Sequence, residues 1–273
     1  MAKVLVTGGA GFIGSHLVDA LIQKGHEVTV FDNLEPQVHG VSGKVPDYLN
    51  ASAHFIQGDV CDIEALDAAV AGHEIIFHQA AMVGVGQSMY QITRYMDVNT
   101  CGTANLLDLV VNKYKDQIKK IIVASSMSIY GEGLYTCKEC GDVVPGLRSD
   151  IQMSKNQWEQ VCPLCGKEVK PTMTPESKPL HATSIYALSK KDQEEMTLMI
   201  GESYGIPTVA LRYFNVYGPR QSLSNPYTGV CAIFSSRLKN DNPPIIYEDG
   251  KQSRDFVSVY DIVAANILAM EKD

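Results

Sequence analysis

The sequence predicts an α/β fold, a doubly wound parallel sheet of the Rossmann type with helices on both faces. Short apolar runs at 3–6, 28–31 and 120–126 alternate with segments of helical periodicity, for example 15–22 and 97–114. A glycine-rich turn separates the first run from the first helix. Parallel strands need crossover connections, so repeated strand–helix units imply one parallel sheet with right-handed crossovers.

The first fourteen residues carry the clearest pattern. After the apolar run 3–6, glycines follow in the spacing G-x-x-G-x-x-G. The first glycine allows a tight turn, the second lets the backbone approach a pyrophosphate, and the third lets the helix pack closely on the strand. The N-terminus of that helix offers free N–H groups to phosphates. The predicted phosphate loop comprises Gly8, Gly11, Phe12, Ile13 and Gly14.

Asp32 indicates which dinucleotide this loop binds. It ends the second predicted strand, eighteen residues after Gly14, where a carboxylate can hydrogen-bond both hydroxyls of an adenosine ribose. The same carboxylate would repel a 2′-phosphate, and neither Asn33 nor Leu34 supplies a cation. We therefore predict NAD rather than NADP. The alternative is a glycine-rich turn in another α/β protein, and the joint occurrence of strand, spacing, helix and acid argues against it.

The remaining elements follow in order along the chain. Prolines and glycines in a polar segment predict a surface loop over 35–52. Beyond it we predict strands over 53–57, 74–78 and 120–126, and helices over 63–70, 97–114 and 260–272. Ligands of such sheets bind at the carboxyl ends of the strands. Those ends hold Asp32, Asp59, Ala80, Ala81, Ser125 and Ser126.

Composition and charge restrict the class of protein. The 273 residues are 45% hydrophobic and 20% charged, with a formal net charge of -8. Without a basic block, this charge argues against a nucleic-acid or anionic-membrane binder. No signal peptide precedes the first strand and no apolar run could span a bilayer, so we expect a cytoplasmic protein. The sequence stops at Asp273 inside the last predicted helix, from which we expect a C-terminal part to be missing.

A helix capped by Ser184 is predicted to carry a reactive pair. Tyr186 and Lys190 lie one turn apart on one face of it. A tyrosine with a pKa of about 10 is a poor base at neutral pH, but an ammonium and a positive nicotinamide would lower that pKa. Tyr186 could then take a proton from a hydroxyl as hydride leaves the same carbon, with Ser126 hydrogen-bonded to the same oxygen. The alternative is an ordinary surface Tyr–Lys pair, against which the glycine loop and the serines ending the strand 120–126 argue.

In combination these motifs resemble the extended short-chain dehydrogenase/reductase family, the NAD-dependent sugar-nucleotide epimerases and dehydratases. The resemblance covers nearly the whole chain apart from 132–176. The motifs that carry it are the glycine loop, Asp32-Asn33-Leu34, Gly58-Asp59-Val60, Phe77–Ala81, Asn99, Ser125-Ser126, Tyr130-Gly131, Tyr186-x-x-x-Lys190, Leu211–Pro219 and Arg254–Val257.

The resemblance implies roles for these residues. Ser126, Tyr186 and Lys190 would be catalytic, while Asn215 and Arg254 would bind the diphosphate of a nucleotide sugar. The implied NAD-binding residues are Gly8, Gly11, Phe12, Ile13, Gly14, Asp32, Asn33, Asp59, Val60, Ala80, Ala81, Asn99, Ser125, Tyr186, Lys190 and Phe214. Family members form homodimers through the helices that begin near Asn99 and Tyr186, so a homodimer is expected.

One departure from the family pattern separates two reactions. Dehydratases that resemble this chain have a Thr-Asp-Glu motif at the position of Ser126-Met127-Ser128. In those enzymes the Asp and Glu serve as acid and base. Neither Met127 nor Ser128 can protonate a leaving hydroxyl or abstract a carbon-bound proton. Oxidation and re-reduction at one carbon remain, which is 4-epimerisation: C4 becomes a ketone, the sugar turns over, and hydride returns to the opposite face.

An insertion separates Ser126 from Tyr186. It contains Cys137-x-x-Cys140 and Cys162-x-x-Cys165, with 21 residues between the pairs. Doubled C-x-x-C pairs are typical of zinc, and four thiolates leave no open coordination position, so the zinc would be structural. A zinc-ribbon interaction module and a redox dithiol pair are the alternatives. The isolated cysteines at 61, 101 and 231 are predicted to be buried apolar side chains.

The insertion divides the chain into three predicted parts. Residues 1–131 and 177–216 form the NAD-binding domain, 132–176 the four-cysteine zinc ribbon, and 217–273 a partial substrate-binding lobe with a returning helix. Epimerases with such an insert and a sequence like 214–229 resemble the group that acts on dTDP-L-rhamnose. The alternative substrates are other nucleotide sugars such as UDP-glucose or UDP-galactose. The alternative functions are a reductase or dehydrogenase, and a non-catalytic NAD-binding scaffold.

Overall fold

A computed structural model describes residues 1–222 and 229–272 of the chain. Its strands are β1 (Lys3–Thr7), β2 (Glu27–Asp32), β3 (His54–Gln57), β4 (Ile75–His78), β5 (Lys120–Ser126), β6 (Leu134–Cys137), β7 (Gly141–Val143), β8 (Val169–Thr172), β9 (Thr208–Tyr213), β10 (Asn215–Tyr217) and β11 (Phe256–Ser258). Residues 223–228, part of the stretch 214–229 that carries the resemblance to the dTDP-L-rhamnose group, and Asp273 lie outside the described residues.

Helices alternate with these strands. They are α1 (Phe12–Gln23), α2 (Pro36–His39), α3 (Ile63–Val70), α4 (Val85–Ser88), α5 (Ile92–Tyr95), α6 (Gly102–Leu109), α7 (Asp150–Ser154), α8 (Ile185–Tyr204), α9 (Val230–Lys239) and α10 (Val259–Glu271). Two π-helical turns, Met96–Cys101 and Val110–Tyr114, flank α6, and a 3₁₀ turn covers Met127–Tyr130. None of the helices within the described ranges is long and apolar enough to cross a membrane.

The central sheet has six parallel strands in the order β3-β2-β1-β4-β5-β9. The first strand pairs in register with two neighbours, Val4 opposite Val28 on one side and Ile75 on the other. The chain therefore winds outward in both directions from β1. This confirms the doubly wound α/β fold, and it puts the point where strand order reverses between β1 and β4, at whose carboxyl ends ligands bind.

Both faces of the sheet are buried, as a parallel sheet requires. Val4 and Val6 pack on one face with Leu17 of α1. Leu5 points to the other face and packs with Leu66 of α3. All five side chains are completely buried. The two helical layers thus hold the strands rigidly, and the strand ends that carry the predicted site residues are fixed with them.

Two segments differ from the sequence prediction. The predicted loop over 35–52 contains the short helix α2, because Pro36 occupies its first turn and the Glu35 carboxylate accepts the N–H of Gln37. The helix predicted over 97–114 begins five residues earlier, at Ile92, and contains both π-helical turns. The strand 120–126 and the helix 63–70 have the predicted bounds.

The insertion and the C-terminal region form separate small sheets. Strand β6 pairs antiparallel with β7 and with β8, giving a three-stranded sheet within the insertion. Strands β10 and β11 pair in parallel, with Asn215 opposite Phe256. Strand β10 begins two residues after β9 ends, so this second small sheet extends from the carboxyl edge of the central sheet.

Candidate active site

A cavity of about 480 Å³ opens at the carboxyl edge of the central sheet. Its walls come from the strand ends, the glycine loop, α8 and the segment after β9. Of the predicted site residues, those that line it are Gly8, Gly11, Phe12, Ile13, Gly14, Asp32, Asn33, Asp59, Val60, Ala80, Ala81, Ser125, Ser126, Tyr186, Lys190, Phe214 and Asn215. Residues that are far apart in the sequence are thus brought to one site.

The glycine loop is shaped by close contacts within the backbone. Gly8 has a φ of +68°, and a Cβ there would lie 2.7 Å from the backbone nitrogen of Ala80. A Cβ at Gly14 would lie 2.3 Å from the carbonyl oxygen of Gly8. At Gly11 the nearest such contact is 3.3 Å. Gly8 and Gly14 are therefore needed by the turn itself, whereas Gly11 leaves backbone open to the cavity.

The start of α1 fits an anionic group. Gly11 is its N-cap and contributes no side-chain hydrogen bond to the first turn, so the N–H groups there are available to a ligand. The positive end of the helix dipole adds to the attraction. Together with the cradle that Gly11 leaves open, this arrangement fits the pyrophosphate of NAD.

Asp32 is held firmly at the end of β2. Its carboxylate accepts the N–H of Ala10 at 3.0 Å and that of Leu34 at 2.9 Å. Burial raises the pKa of Asp32, and these two hydrogen bonds oppose the rise. The neighbouring Asn33 donates to Asp59 at 2.8 Å. Two acidic side chains thus lie in fixed positions along the cavity wall, where the ribose and adenine are expected.

The three predicted catalytic residues meet at the other end of the cavity. Ser126 ends β5, while Tyr186 and Lys190 lie on α8, whose first turn Ser184 caps by accepting the N–H of Ala187 at 3.1 Å. The backbone N–H of Tyr186 donates to Ser88 Oγ at 3.0 Å. The helix cap at Ser184 and the hydrogen bond from Tyr186 to Ser88 of α4 therefore fix Tyr186 beside Ser126.

Burial acts on the protonation of both Tyr186 and Lys190. Burial raises the pKa of Tyr186, and a hydrogen bond with the Ser126 side chain only partly opposes this. Burial also lowers the pKa of Lys190 to about 7, which weakens the positive charge that was expected to stabilise a phenolate. Burial thus favours the neutral phenol, and the lowering of this pKa by a positive nicotinamide stays a prediction.

A buried polar network behind Lys190 was missed by the sequence analysis. The Lys190 amine donates to Gln193 Oε1 at 2.7 Å, and Gln193 Nε2 donates to Thr103 Oγ1 at 2.7 Å. His78 hydrogen-bonds Thr103 at 2.9 Å and Thr7 at 2.8 Å, and burial lowers the pKa of His78 to about 3, so the imidazole is neutral. The only sequence signal was position: Gln193 follows Lys190 by three residues and shares its helix face.

A buried ion pair supports the end of β5. Glu194 accepts the hydroxyl of Ser125 at 2.6 Å and forms a salt bridge with Arg212 of β9. Arg212 also donates to the hydroxyl of Tyr130 at 2.8 Å and to the carbonyl of Glu176 at 3.1 Å. This cluster joins α8, two strands and the segment that returns from the insertion.

Two predicted site residues do not reach the cavity. Asn99 is fully buried, and its amide is occupied by both backbone groups of Met82, at 2.7 and 3.0 Å, and by Ser189 Oγ at 2.9 Å. It shapes the cavity by holding the segment after β4. Arg254 is exposed and donates to the carbonyl of Ser253 at 2.7 Å, because the loop before β11 directs it to the surface.

The prediction for the isolated cysteines was wrong. Cys61 and Cys101 are exposed and Cys231 is only half-buried. Cys61 lies in the turn between β3 and α3, and Cys101 on the outer side of the 92–114 helical segment. A single cysteine has no periodic partner in the sequence, so its side of the helix or turn could not be inferred.

The four remaining cysteines form a cluster at one end of the insertion. Their sulfur atoms all lie within 4.8 Å of one another, and those of Cys137 and Cys165 are 3.6 Å apart. The edge of a tetrahedron with Zn–S bonds of about 2.3 Å is about 3.8 Å. Gly141 and Gly166, both with a φ of +73°, provide the turns after each pair. The donor set and its spacing fit a closed tetrahedral metal site.

Comparison with known proteins agrees with this geometry. The sequence model of a family described as "NAD dependent epimerase/dehydratase family" matches residues 4–273 of the chain. A dTDP-L-rhamnose 4-epimerase of Burkholderia thailandensis is 36% identical over 99% of this chain and 73% of its own length. The solved UDP-glucose 4-epimerase of Thermotoga maritima, with UDP-glucose, is 36% identical, covers 99% and 74% of the two chains, and has a TM-score of 0.77.

A second solved structure contains the cofactor. The UDP-glucose 4-epimerase of Thermus thermophilus, in complex with NAD, is 33% identical and has a TM-score of 0.75, with 99% of this chain and 75% of the other covered. The match extends over nearly the whole chain in each case. The chain therefore belongs to the NAD dependent epimerase/dehydratase family, as an NAD-dependent sugar-nucleotide epimerase.

Proposed function

We propose that this epimerase inverts C4 of dTDP-L-rhamnose, interconverting it with dTDP-6-deoxy-L-talose. The observation that carries the choice of reaction is the cavity wall beside Tyr186. Met127 and Ser128 line it, where a dehydratase would need a carboxylic acid and a carboxylate. Ser128 Oγ donates to Ser126 Oγ at 2.9 Å, so it supports the serine rather than supplying a base. A reaction that needs one proton acceptor, at one carbon, fits this site.

Residues of this chain can accept and return the proton of the C4 hydroxyl. Tyr186 takes the proton of the C4 hydroxyl and later returns it, and Ser126 hydrogen-bonds the same oxygen. Bound NAD supplies the hydride acceptor and donor at C4. The Lys190 side chain lies one turn along α8 from the tyrosine, and a protonated Lys190 favours the phenolate. Because proton and hydride both return to the sugar, the reaction is balanced without another reactant.

The assignment of the sugar is supported by the apolar side of the cavity. Met82, Val83 and Val85 line it, and they suit the C6 methyl of a 6-deoxy sugar better than a hydroxymethyl group. The similarity to the Burkholderia thailandensis enzyme points the same way. UDP-glucose and UDP-galactose form the second candidate pair, favoured by the equal identity to the Thermotoga maritima enzyme.

The assigned roles complete the proposal. The NAD-binding and catalytic residues are those that line the cavity, Asn215 contacts the nucleotide sugar, and Cys137, Cys140, Cys162 and Cys165 hold one structural zinc ion. We also propose the division into 1–131 with 177–216, 132–176 and 217–273, supported by the separate sheet of the insertion. A homodimer is compatible with exposed apolar residues on α8, among them Leu188 and Met199.

NMR spectroscopy of the sugar C4 signals tests the reaction. With dTDP-L-rhamnose and no added reductant, we expect an equilibrium mixture of C4 epimers, and Tyr186→Phe should slow its formation about 10³-fold while leaving bound NAD unchanged. Tyr204→Phe, on the same helix but exposed at its far end, is the matched control. Conversion of UDP-glucose alone would replace the sugar assignment. No conversion of either substrate would favour the NAD-binding scaffold, and a Tyr186→Phe variant that converts as fast as wild type would refute the catalytic role of Tyr186.

A further inference from the structure

One ion pair connects the insertion to the C-terminal region. Arg148 of the insertion donates through Nη1 and Nη2 to the two carboxylate oxygens of Glu248, at 2.9 and 2.8 Å. The side chains are only 24% and 19% exposed. Arg148 Nη1 also donates to the carbonyl of Trp158 at 2.9 Å, which fixes the arginine within the insertion. Two parallel N–H···O bonds join the guanidinium to the carboxylate, a geometry that is typical of the stronger kind of ion pair.

The backbone at Glu248 adopts an uncommon conformation. Glu248 has a φ of +58°, in the left-handed region that side chains other than glycine seldom adopt. Its carboxylate holds Arg148 and also accepts Gln252 Nε2 at 2.9 Å. A conformation of this kind persists when surrounding contacts compensate for its cost. The turn at Glu248 is therefore held in place from the insertion.

This turn leads directly to the substrate side of the cavity. Seven residues after Glu248, the carbonyl of Asp255 accepts both the backbone N–H and the side-chain Nδ2 of Asn215, at 3.2 and 3.1 Å. Phe256 follows and pairs with Asn215 between β11 and β10. Both Asn215 and Phe256 line the cavity. A displacement of the turn would therefore move this wall, while the glycine loop and Asp32 lie on other elements.

Arg254 lies in the same short segment. The hydrogen bonds from Arg148 lower the pKa of the Glu248 carboxyl, and the positive charge of Arg254 adds to this effect. Glu248 therefore faces positive charge both from the insertion and from its own segment. We refer to the Arg148–Glu248 pair as the insert latch.

We propose that Arg148 and Glu248 are positioning residues for the nucleotide sugar, because the insert latch holds the segment 248–256 and with it the Asn215–Phe256 wall of the cavity. Neither residue touches the reacting atoms. The inference rests on the proposed function for the identity of the ligand. It gives the insertion a second role, as the support of the substrate side of the site, beyond its own folding.

The test compares two charge reversals with their combination. Arg148→Glu and Glu248→Arg should each raise KM for the nucleotide sugar about tenfold and leave kcat within about twofold, because an ion pair of this geometry is lost while the catalytic residues stay in place. The double variant restores an opposite-charge pair, and its KM should return to within about threefold of the wild-type value. Bound NAD should be the same in all four proteins.

Lys167→Glu is the matched control. Lys167 pairs with Glu139 within the insertion, and both side chains are more than half exposed, so its reversal changes the charge of the insertion without reaching the segment 248–256. Its KM should stay at the wild-type value. Single reversals that lower only the melting temperature, with KM unchanged, would overturn the proposal, as would an equal fall of kcat or a double variant that folds but is not rescued.

Binding measurements separate this proposal from the epimerase assignment. Calorimetric titration of the same proteins with dTDP-L-rhamnose and with UDP-glucose reports Kd without turnover. Binding without conversion by the wild-type protein would refute the epimerase reaction and leave the insert latch to be judged by Kd, with the same tenfold weakening and rescue expected. If the wild-type protein binds neither nucleotide sugar, both proposals fail.

Discussion

Lys190 carries its amine in a site almost closed to water, 3% exposed and hydrogen-bonded to Gln193. Burial disfavours the charged form, which is why the pKa of this lysine falls to about 7. Gln193 is itself fixed by Thr103, so its oxygen rather than its nitrogen faces the lysine. The network thus presents an acceptor to Lys190, while burial sets its pKa to about 7.

The depressed pKa of Lys190 predicts a specific pH dependence of stability. The unfolded lysine keeps its proton up to about pH 10.4, whereas the folded one loses it near pH 7. Between these values the unfolded state binds more protons, so stability rises with pH. Relative to Lys190→Met, the NAD-free wild-type protein should gain on the order of a few kcal/mol in unfolding free energy from pH 7 to pH 10.

Urea unfolding of both proteins at pH 7, 8.5 and 10 measures this difference. Other titrating groups, including the cysteines, occur in both proteins and cancel in the comparison. Gln193→Leu removes the acceptor and should lower the lysine pKa further, moving the rise to lower pH. Parallel pH curves for wild type and Lys190→Met would show that Lys190 is not buried as the structure describes.

The predicted site residues that line the cavity are those whose place follows from a local pattern, a strand end or the period of a helix. Asp32 and Ser126 end parallel strands, and such ends meet at one edge of a sheet. Tyr186 and Lys190 are set by helical period. Asn99 could not be placed in this way, because its amide is taken by Met82, seventeen residues away. The partners of a side chain depend on tertiary contacts that no local pattern reports.

Among the elements, the glycine turn between β1 and α1 allows a sharp comparison. A methyl group at Gly14 would lie 2.3 Å from the backbone oxygen of Gly8, which cannot move aside. Gly14→Ala should therefore destabilise the protein by about 1–3 kcal/mol or more. Gly11 has an ordinary φ of -72° and its nearest contact is 3.3 Å, so Gly11→Ala should fold with a change of less than about 1 kcal/mol.

Gly14→Ala should mainly lower the stability of the protein, whereas Gly11→Ala should mainly weaken the binding of NAD. Gly11→Ala puts a methyl group where the backbone meets the pyrophosphate, and we expect its Kd for NAD to rise about tenfold or more while its melting temperature stays near that of wild type. Calorimetric NAD titration and thermal unfolding measure both quantities. Equal loss of stability in the two variants would contradict this division of roles within the turn.

The insertion is an element whose fold is expected to depend on a metal. We expect about one zinc ion per chain in the purified protein, and Cys140→Ser should release it, because a structural site of four thiolates tolerates no missing ligand. Bound NAD should be unchanged, since the glycine loop lies on another sheet. Elemental analysis measures the zinc content. Cys231→Ser is the control, outside the cluster; zinc-free wild type, or equal loss in the control, would refute the site.

Elements were predicted well where hydrophobic period and a cap agreed. Helix α8 begins after Ser184 and ends at Gly205, which has a φ of +69°, as its two signals indicate. Helix α2 was missed because four residues give no hydrophobic period, so that Pro36 and the Glu35 cap were its only local signals. The π-helical turns beside α6 were not predicted because they shift the hydrogen bonds without changing which residues are apolar.

At the scale of the whole molecule, the Glu194–Arg212 pair connects α8, two strands of the central sheet and the segment that follows the insertion. Glu194 on α8 is 4% exposed in its side chain and contacts Ser125 at the end of β5, while Arg212 of β9 reaches the carbonyl of Glu176, where the chain returns from the insertion. One carboxylate therefore connects the catalytic helix, two strands of the sheet and the base of the insertion. Its loss should be felt across these parts together.

Glu194→Ala should lower the unfolding free energy by about 3–5 kcal/mol, because it leaves the guanidinium of Arg212 without its partner in a largely buried place. The next residue provides the matched control. Glu195 pairs with Lys191 one turn back, its side chain is 50% exposed, and Glu195→Ala should cost less than about 0.5 kcal/mol. Urea unfolding followed by circular dichroism measures both. Similar small losses would mean that water and the remaining acceptors of Arg212, the Tyr130 hydroxyl and the Glu176 carbonyl, replace the carboxylate. Apolar contacts would then hold the sheet and the insertion together.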